Sequence, residues 1–463
     1  MINKDIICAI STPPGMGALA IVRLSGEGSI ALTDKIFESP SGKKLINASA
    51  NTVHFGRVYS NGEVLDEVLA TLFHSPNSFT GEESVEISCH GSVYIQQKLV
   101  ELLLDEGARL AQAGEFTQRA FKNGKFDLSR AEAVADLIAS ESKASHRVAM
   151  NQMRGGFARK LADLRDKLLQ FASLIELELD FSEEDVEFAN RDHLSELTEE
   201  IESEIETLAN SFKMGNAIKT GIPVAIIGET NVGKSTLLNL LLNEDKAIVS
   251  DIHGTTRDVI EDSVNISGIR FRFIDTAGIR QTTDVIEAMG IERTYKKIEQ
   301  ASIVLWMIDM TTSVKEIESL ATLIIPKLID KHVIILFNKA DLITEERQLI
   351  FKGLLPQLEA DRLAISAKQH QNTAQLQEML VKAAAIPTIG EEDVIVTNLR
   401  HYEALQKALQ AILRAKEGLD IGITHDFLAQ DIRECMFYLG EITGQISTDE
   451  ILGNIFSKFC IGK

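Results

Sequence analysis

Short apolar runs separated by polar and helical stretches mark the middle of the chain, from about residue 221 onward. Five of them follow one another: Ile222–Ile227, Ile269–Ile274, Ile303–Ile308, Val333–Phe337 and Leu363–Ile365. Runs of this length that alternate with helices are typical of parallel strands, because helices cover both faces of such a sheet. The pattern predicts a doubly wound, mostly parallel α/β domain over residues 221–384.

The region before this domain has two parts with different patterns. Residues 1–118 combine Gly, Pro and Ser turns with strand-like runs and one helix, and we expect a compact α+β domain there. The predicted elements are Ala18–Arg23, Val64–Leu72, Ser84–Ser88 and a helix near 92–105. In residues 119–220, apolar positions recur three and four residues apart, notably in Ala131–Ser145 and Phe157–Leu179. That spacing predicts long amphipathic helices.

The region after the α/β domain returns to a helical pattern. Beyond Pro387, apolar positions again follow helical spacing in Asn398–Glu417 and Thr424–Ile442. We therefore expect residues 119–220 and 385–463 to form one discontinuous helical domain that the α/β domain interrupts. The predicted fold class is a multidomain combination of α+β, α and α/β parts.

Composition and charge limit the class of protein. A chain of 463 residues fits two to four domains, and a net charge of -21 argues against a generally basic nucleic-acid coat. Four cysteines without a C-x-x-C pair indicate reduced thiols in a cytoplasmic protein. No apolar run approaches the ~18 residues that span a bilayer, so we expect no membrane partner.

The segment Gly228–Ser235 matches the phosphate-binding loop pattern G-x-x-x-x-G-K-[ST]. It follows the apolar run Ile222–Ile227 and precedes the apolar helix Thr236–Leu242, which is the context that the pattern requires. Its glycines let backbone N–H groups close around phosphates at the start of a helix. We expect Lys234 to reach the β and γ phosphates and Ser235 to hold Mg²⁺.

Three further motifs follow at predicted strand ends, in the order that a GTPase needs. They are Asp275-Thr276-Ala277-Gly278, Asn338-Lys339-Ala340-Asp341 and Ser366-Ala367-Lys368. Asp341 can accept two hydrogen bonds from guanine, whereas adenine would leave that carboxylate unpaired, and such sites reject the wrong partner by ~10⁴ or more. The chain is thus predicted to be an enzyme, a GTP hydrolase.

A threonine between the first two motifs is expected to complete the Mg²⁺ shell when the γ-phosphate is present. The segment Gly254-Thr255-Thr256-Arg257-Asp258 lies there, and we select Thr256. The full set of predicted GTP-binding residues is Asn231, Val232, Gly233, Lys234, Ser235, Thr236, Ser250, Asp251, Ile252, His253, Gly254, Thr255, Thr256, Asp275, Thr276, Ala277, Gly278, Asn338, Lys339, Ala340, Asp341, Ser366, Ala367 and Lys368.

The residue after the D-x-x-G motif is Ile279, where Ras-like proteins have a glutamine that orients the attacking water. Isoleucine cannot do this, so another group must align water and another positive charge must replace an arginine finger. From the residues alone the candidates are Arg257, Arg280, Asp284 and Glu287, and none of them stands out.

Motifs spread over the whole chain resemble those of one family, the MnmE (TrmE) tRNA-modification GTPases. Besides the G-domain motifs, the resemblance rests on Thr12–Gly15, Arg23–Gly26, Asn77–Glu82, His90-Gly91, Gly114–Phe121, Asp127-Leu128, Ile291–Arg293 and Phe459–Lys463. The resemblance implies an N-terminal folate-binding domain that forms a homodimer, a discontinuous helical domain and a TrmE-type G domain.

For the G domain, the resemblance implies K⁺-dependent hydrolysis of GTP to GDP and phosphate. It assigns K⁺ to Asn231, Ser250, Ile252 and Thr255, and Mg²⁺ to Ser235 and Thr256. It also makes Glu287 the catalytic residue that orients water. K⁺ would then supply the charge of an arginine finger, which answers the question that Ile279 raises.

For the other domains, the resemblance implies a tetrahydrofolate derivative, in the 5-formyl or 5,10-methylene form, held by Arg23, Glu86, Lys125 and Lys463. Cys460 is a candidate reactive thiol. The family acts with the flavoprotein MnmG (GidA) in a hetero-oligomer. Together they add an aminomethyl-type group, carboxymethylaminomethyl, at C5 of the tRNA wobble uridine.

A basic stretch in this acidic chain carries a further prediction made from the residues. It comprises Arg119, Lys122, Lys125, Arg130, Lys143, His146, Arg147, Arg154, Arg159 and Lys160. The stretch is either a docking surface for tRNA phosphates or a solvated helix face.

Two other classes of protein remain as alternatives. One is a ribosome-assembly GTPase of the Era type, whose appended domains only bind RNA. The other is a folate enzyme whose G domain is regulatory. The terminal Cys460–Lys463 tetrapeptide, together with Arg23 and Glu86, argues against the Era type, because an RNA-binding domain does not need them.

Overall fold

The computed structural model describes residues 5–180, 191–246, 262–274, 295–385, 390, 393–446, 449–457, 459 and 462. The chain forms two compact units. The first unit contains residues 1–138, 152–204 and 404–463, and the second contains residues 139–151 and 205–403.

A seven-stranded sheet forms the N-terminal part of the first unit. Its strands are β1 (Ile7–Ile10), β2 (Leu19–Ser25), β3 (Phe37–Glu38), β4 (Thr52–Ser60), β5 (Glu63–Phe73), β6 (Ser84–His90) and β7 (Arg109–Leu110). Their order is β3-β4-β5-β6-β2-β1-β7, and every pair is antiparallel except β1 with β7. Helices α1 (Ser29–Ile36) and α2 (Val93–Asp105) belong to the same part.

The sequence-based elements of this part are confirmed where the apolar signal is strong. The predicted strands correspond to β2, β5 and β6, and the predicted helix near 92–105 is α2. Strand β4 was not predicted, because most of its residues are at least partly exposed and Gly56 and Arg57 interrupt the apolar signal.

Several helices follow the sheet in the described residues of the first unit. They are α3 (Glu115–Lys122), α4 (Leu128–Ile138), α6 (Gly156–Asp180), α13 (His425–Thr443), α14 (Asp449–Phe456) and parts of α7 (Arg191–Thr220) and α12 (Leu399–Ile421). The helices predicted at Phe157–Leu179, Asn398–Glu417 and Thr424–Ile442 are confirmed as α6, α12 and α13.

A six-stranded sheet forms the centre of the second unit. Its strands are β8 (Ile222–Ile227), β9 (Asp262–Ile266), β10 (Ile269–Phe273), β11 (Ile303–Asp309), β12 (His332–Asn338) and β13 (Asp361–Ala364), in the order β13-β12-β11-β8-β10-β9. All neighbours are parallel except β9 and β10. All five predicted strands are therefore confirmed, whereas β9 was not predicted.

Helices cover both faces of this sheet, as the doubly wound pattern predicts. On one face, Leu237 and Leu241 of α8 (Lys234–Lys246) and Leu376 of α11 (Thr373–Ala384) pack with inward residues of the strands. On the other face, Ile317 of α9 (Val314–Ile324) and Phe351 of α10 (Glu345–Lys352) join a second buried cluster. The predicted fold class is confirmed, including the inserted α/β domain.

The helix predicted over Ala131–Ser145 is wrong in its extent, because the structure has two helices there. Helix α4 ends at Ile138, and α5 (Lys143–Met153) begins after a four-residue break. The hydroxyl of Ser142 accepts a hydrogen bond from the Ser145 backbone N–H at 3.1 Å. This is the contact of an N-cap, so Ser142 favours the start of a new helix over continuation of the first one.

None of the helices in the described part of the chain combines the length and apolar character needed to cross a membrane.

Candidate nucleotide-binding site

Parallel strands place three of the predicted GTPase motifs at one edge of the six-stranded sheet. The phosphate-binding loop follows β8, and Asn338 ends β12. Asp309 ends β11 and is the register partner of Asn338, while Ser366 lies just beyond β13. The carboxyl ends of parallel strands form the usual ligand-binding crevice of such sheets.

Two positions of the phosphate-binding loop require glycine, because atoms of neighbouring strands lie very close to the backbone there. Gly228 and Gly233 have φ of 143° and 104°. A Cβ on Gly233 would lie 2.4 Å from Asn338 Nδ2, and one on Gly228 would lie 2.4 Å from the Met307 carbonyl oxygen. Any side chain at these two positions would therefore displace the strand ends that form the site.

Lys234, the first residue of α8, has a cationic side chain. In the described part of the chain, no carboxylate forms a hydrogen bond or an ion pair with it. Its Nζ donates to the carbonyl oxygens of Gly228 at 2.8 Å and Glu229 at 2.5 Å. Burial, followed by repulsion from Lys297, lowers the pKa of Lys234 to about 8. The negative charge of Glu229 offsets these two effects only in part, so a polyphosphate at the amino end of α8 would supply further negative charge.

Asn338 joins three motifs through its side-chain amide. Its Nδ2 donates to the Val232 carbonyl oxygen at 2.7 Å, and its Oδ1 accepts from the Ala367 backbone N–H at 3.0 Å. The side chain is 4% exposed. Because buried amides are costly to leave unpaired, this residue holds the phosphate-binding loop and the Ser366–Lys368 loop at a fixed separation.

Lys339 and Asp341 lie at the edge of the same site. Lys339 has a left-handed backbone with φ 66°, and its Nζ donates to Asp309 Oδ2 at 2.5 Å. Burial alone would raise the pKa of Asp309, but hydrogen bonds from Lys339 and Thr311 keep that pKa below its ordinary value. Asp341 is exposed, so its carboxylate is available to a ligand.

Asp309 was not identified from the sequence. An aspartate that directly follows the apolar run Ile303–Ile308 was the available signal, because polar residues at the ends of buried parallel strands mark ligand sites. Its contact with Lys339 depends on the pairing of β11 with β12, which the sequence pattern alone does not specify.

Several predicted residues lie outside the described residues. These are Ser250, Asp251, Ile252, His253, Gly254, Thr255, Thr256, Asp275, Thr276, Ala277, Gly278 and Glu287, together with Cys460 and Lys463. Of the predicted metal ligands, Asn231 and Ser235 are described. Asn231 is exposed with φ 60°, and Ser235, at the start of α8, is half-buried.

A second candidate site surrounds Arg23 in the first unit. Arg23 and Glu86 are register partners on β2 and β6, and Arg23 Nη2 lies 2.7 Å from Glu86 Oε1. The guanidinium also lies 5.5 Å from the ring centre of Phe79 and 5.7 Å from that of Phe116. These two aromatic contacts were not predicted, because the residues are distant from Arg23 in the sequence.

The end of the chain reaches this second site. The Gly462 carbonyl oxygen accepts hydrogen bonds from Ser11 Oγ at 3.1 Å and from Arg23 Nη1 at 3.5 Å. Lys125 does not share these contacts, and its Nζ donates to the Pro76 carbonyl oxygen at 2.9 Å. The structure therefore brings Arg23, Glu86 and the residue before Lys463 together.

Comparisons with known proteins identify relatives over the whole chain. A family model described as "GTP-binding protein TrmE N-terminus" matches residues 6–125, and one described as "MnmE helical domain" matches residues 128–460. The protein of Bacteroides thetaiotaomicron named "tRNA modification GTPase MnmE" is 59% identical to this chain, and the match covers 100% of both chains. Proteins of the same name from Bacteroides fragilis and Flavobacterium johnsoniae are 58% and 52% identical, again over 100% of both chains.

Proposed function

The chain belongs to the MnmE family of tRNA modification GTPases, and from that premise we propose that it hydrolyses GTP to GDP and phosphate during tRNA modification. The main observation in support is that the Asn338 side chain forms hydrogen bonds with both the phosphate-binding loop and the Ser366–Lys368 loop. A TrmE-type N-terminal region argues against the Era-type alternative, whose appended domains only bind RNA.

The described residues support separate roles in binding the phosphates and the base of GTP. Lys234 exchanges its loop carbonyl acceptors for phosphate oxygens, and Asp341 accepts hydrogen bonds from the guanine edge. Asp309 orients Lys339 beside that base. Lys234 must change acceptors when the nucleotide binds, whereas the contact between Asp309 and Lys339 can stay as it is.

Hydrolysis needs groups beyond those that bind the nucleotide, and here the proposal rests on the family. We assign Mg²⁺ to Ser235 and Thr256, and K⁺ to Asn231, Ser250, Ile252 and Thr255. Asn231 and Ser235 have oxygen donors that suit such hard cations. K⁺ would supply the positive charge that an arginine finger supplies elsewhere. Glu287 would orient the attacking water, since Ile279 cannot.

The first unit is proposed to bind a tetrahydrofolate derivative, in the 5-formyl or 5,10-methylene form. Arg23, Glu86, Lys125 and Lys463 form the proposed site, with Cys460 as a candidate reactive thiol. The contact of Gly462 with Arg23 supports a contribution from the chain end. A site formed by Glu86 and Arg23 suits a pterin, because a carboxylate accepts from ring N–H groups and a cation meets the glutamate tail.

The wider assignment follows the family as well. The protein would act as a cytoplasmic homodimer with the flavoprotein MnmG and would add a carboxymethylaminomethyl-type group at C5 of the wobble uridine. The proposed domains remain 1–118, 119–220, 221–384 and 385–463. A folate enzyme with a regulatory G domain is the alternative, and it predicts tRNA modification that does not depend on GTP hydrolysis.

Nucleoside analysis of tRNA from cells that lack this chain tests the proposal. We expect the C5 substituent of the wobble uridine to be absent, to return with the parent gene and to stay absent with a Lys234→Ala gene. Unchanged wobble uridines in the deletion strain would remove the tRNA assignment. Full modification with the Lys234→Ala gene would instead favour the regulatory alternative.

A further inference from the structure

Three arginines lie around one turn in the first unit, just before helix α6. The turn contains Gly155, whose φ of 83° lies in the left-handed region. Arg130 comes from α4, whereas Arg154 and Arg159 lie on either side of the turn in sequence. All three belong to the basic stretch between Arg119 and Lys160.

Two of these guanidinium groups converge on the same backbone position. The point where a Cβ on Gly155 would lie is 3.4 Å from Arg130 Nε and 3.6 Å from Arg159 Nη1. Arg130 Nε donates to the Met153 carbonyl oxygen at 3.1 Å, and Arg159 Nη1 donates to the Arg154 carbonyl oxygen at 3.0 Å. Backbone carbonyls therefore hold two like charges on either side of one glycine.

In the part of the chain that the structure describes, the guanidinium groups of Arg130 and Arg159 donate to carbonyl oxygens, and no carboxylate forms an ion pair with either of them or with Arg154. The Asp127 carboxylate accepts from the backbone N–H of Arg130 at 3.0 Å, not from its guanidinium. Other members of the basic stretch differ. Arg119 is 7% exposed and forms ion pairs with Asp5, Glu82 and Glu115, and Lys160 forms one with Glu204 at 3.0 Å. In a chain with a net charge of -21, adjacent arginines without carboxylate partners form a local patch of positive charge, which binding of an anionic backbone requires.

We propose that Arg130, Arg154 and Arg159 form a binding site for backbone phosphates of tRNA. This inference rests on the proposed function for the identity of the nucleic acid. Each guanidinium that donates to a carbonyl uses one of its five N–H groups, so most of its donors stay available to phosphate oxygens. The site also lies where α6, a helix of 25 residues, begins, and its amino end adds partial positive charge.

The structure divides the basic stretch into residues with carboxylate partners and residues without them. Arg119 and Lys160 are neutralised within the fold, so they contribute little to binding of an anion. Arg154 and Arg159 are exposed, and Arg130 is half-buried. A compact group of arginines favours phosphate over the carboxylates of an acidic protein, because it matches the closely and regularly spaced charges of a nucleic-acid backbone.

A salt titration of tRNA binding tests the inference on the full-length protein. The test variant is Arg154→Gln with Arg159→Gln, and the matched control is Lys35→Gln with Lys98→Gln. The control also removes two positive charges from the first unit, but each of those lysines already has a glutamate partner, at 3.1 and 2.9 Å. A thermal melt by circular dichroism confirms that both variants remain folded.

We expect the arginine variant to bind tRNA about tenfold more weakly at low salt, and the control to bind like the parent. The slope of log affinity against log salt should become shallower by about 1.4 to 1.8, because about two phosphate contacts are lost. Equal affinities and slopes for the arginine variant and the parent would overturn this site and leave the proposed function intact.

Two further outcomes separate the possible causes of failure. If the parent chain itself does not bind tRNA, both this inference and tRNA as a direct partner of the proposed function are contradicted. Poly-glutamate serves as a second probe. Loss of poly-glutamate binding with retained tRNA binding in the arginine variant would show that this surface fits an acidic protein and would overturn the tRNA assignment.

Discussion

At the scale of single residues, Lys234 is prepared for a polyphosphate by its own loop. Its Nζ donates to two backbone carbonyls and is largely removed from water, and its pKa falls to about 8. The free protein therefore begins to lose this charge only slightly above neutral pH. A bound triphosphate stabilises the ammonium and raises its pKa again.

This linkage predicts a pH dependence for GTP affinity. Below about pH 8, Lys234 is protonated before and after binding, so its contribution to affinity does not change with pH. Above that pH, binding must take up a proton, and affinity should fall by up to about tenfold per pH unit. Titration with a non-hydrolysable GTP analogue between about pH 7 and pH 9 measures the effect.

The matched variant for this prediction is Lys234→Ala. It should bind the analogue more weakly at every pH and lose the decline above pH 8, because the titrating group is gone. An affinity that stays constant in the parent, or the same decline in Lys234→Ala, would assign the pH dependence to another group.

The sequence predicts single functional residues well where a motif determines their chemistry. It does not predict contacts between residues that are distant in the sequence. Lys234 and Asn338 were identified because their motifs occur at strand ends. Asp309 was not identified, since only the pairing of β11 with β12 brings it to Lys339. The rings of Phe79 and Phe116 likewise meet Arg23 through tertiary packing alone.

At the scale of elements, the β9–β10 hairpin links two functional segments of the sequence. The predicted Mg²⁺ ligand Thr256 precedes β9, and Asp275 follows β10. The two-residue turn between the strands has positive φ at Ser267 and Gly268. Residues before α5 contact this hairpin, since Arg270 Nη2 lies 3.0 Å from Glu141 Oε2.

Gly268 is the critical position of this turn. A Cβ there would lie 3.2 Å from the Cβ of Lys143, and a β-branched residue at φ 82° is strained in any case. Gly268→Val should therefore destabilise the second unit by roughly 1–3 kcal/mol. Urea unfolding followed by tryptophan fluorescence measures this, because the chain has one tryptophan and Trp306 is buried in this sheet.

Ser267→Asn is the control for the hairpin, because asparagine tolerates the left-handed conformation better than serine does. It should leave the unfolding midpoint unchanged or raise it slightly. A Gly268→Val midpoint equal to that of the parent would show that the turn does not determine the stability of the hairpin.

Element prediction followed the strength of the apolar signal. Strands β8, β11 and β12 of the second unit were predicted from apolar runs of five or six residues, whereas charged residues interrupt the signal in β10 and β13. Strand β9 was not, because its pattern includes Asp262, Ser263 and Asn265 and only two of its residues are buried. The break between α4 and α5 was also missed, since apolar spacing continues through it and the cap at Ser142 is a local contact.

At the scale of the whole molecule, the central claim is a GTPase without an arginine finger or a Ras-type glutamine. The described residues carry the proposed binding of the phosphates and the base, and the roles of K⁺ and Glu287 are proposals. Asn231 is a proposed K⁺ ligand within the described residues. It is exposed and lies in the phosphate-binding loop, close to Lys234 in the sequence. Catalysis and nucleotide binding should therefore be separable by mutation.

GTP turnover in KCl against NaCl, with nucleotide affinity measured alongside, tests this claim most directly. We expect strong stimulation by K⁺ and little by Na⁺, because the larger ion fits a pocket of carbonyl oxygens. An arginine finger supplies ~10³–10⁵ in rate elsewhere, and the proposed K⁺ would take over part of that effect. Glu287→Ala should lose most hydrolysis at near-normal affinity, and Asn231→Ala should lose the response to K⁺. Equal turnover in the two salts, together with an active Glu287→Ala protein, would contradict the account and indicate Arg257 or Arg280 as an internal finger.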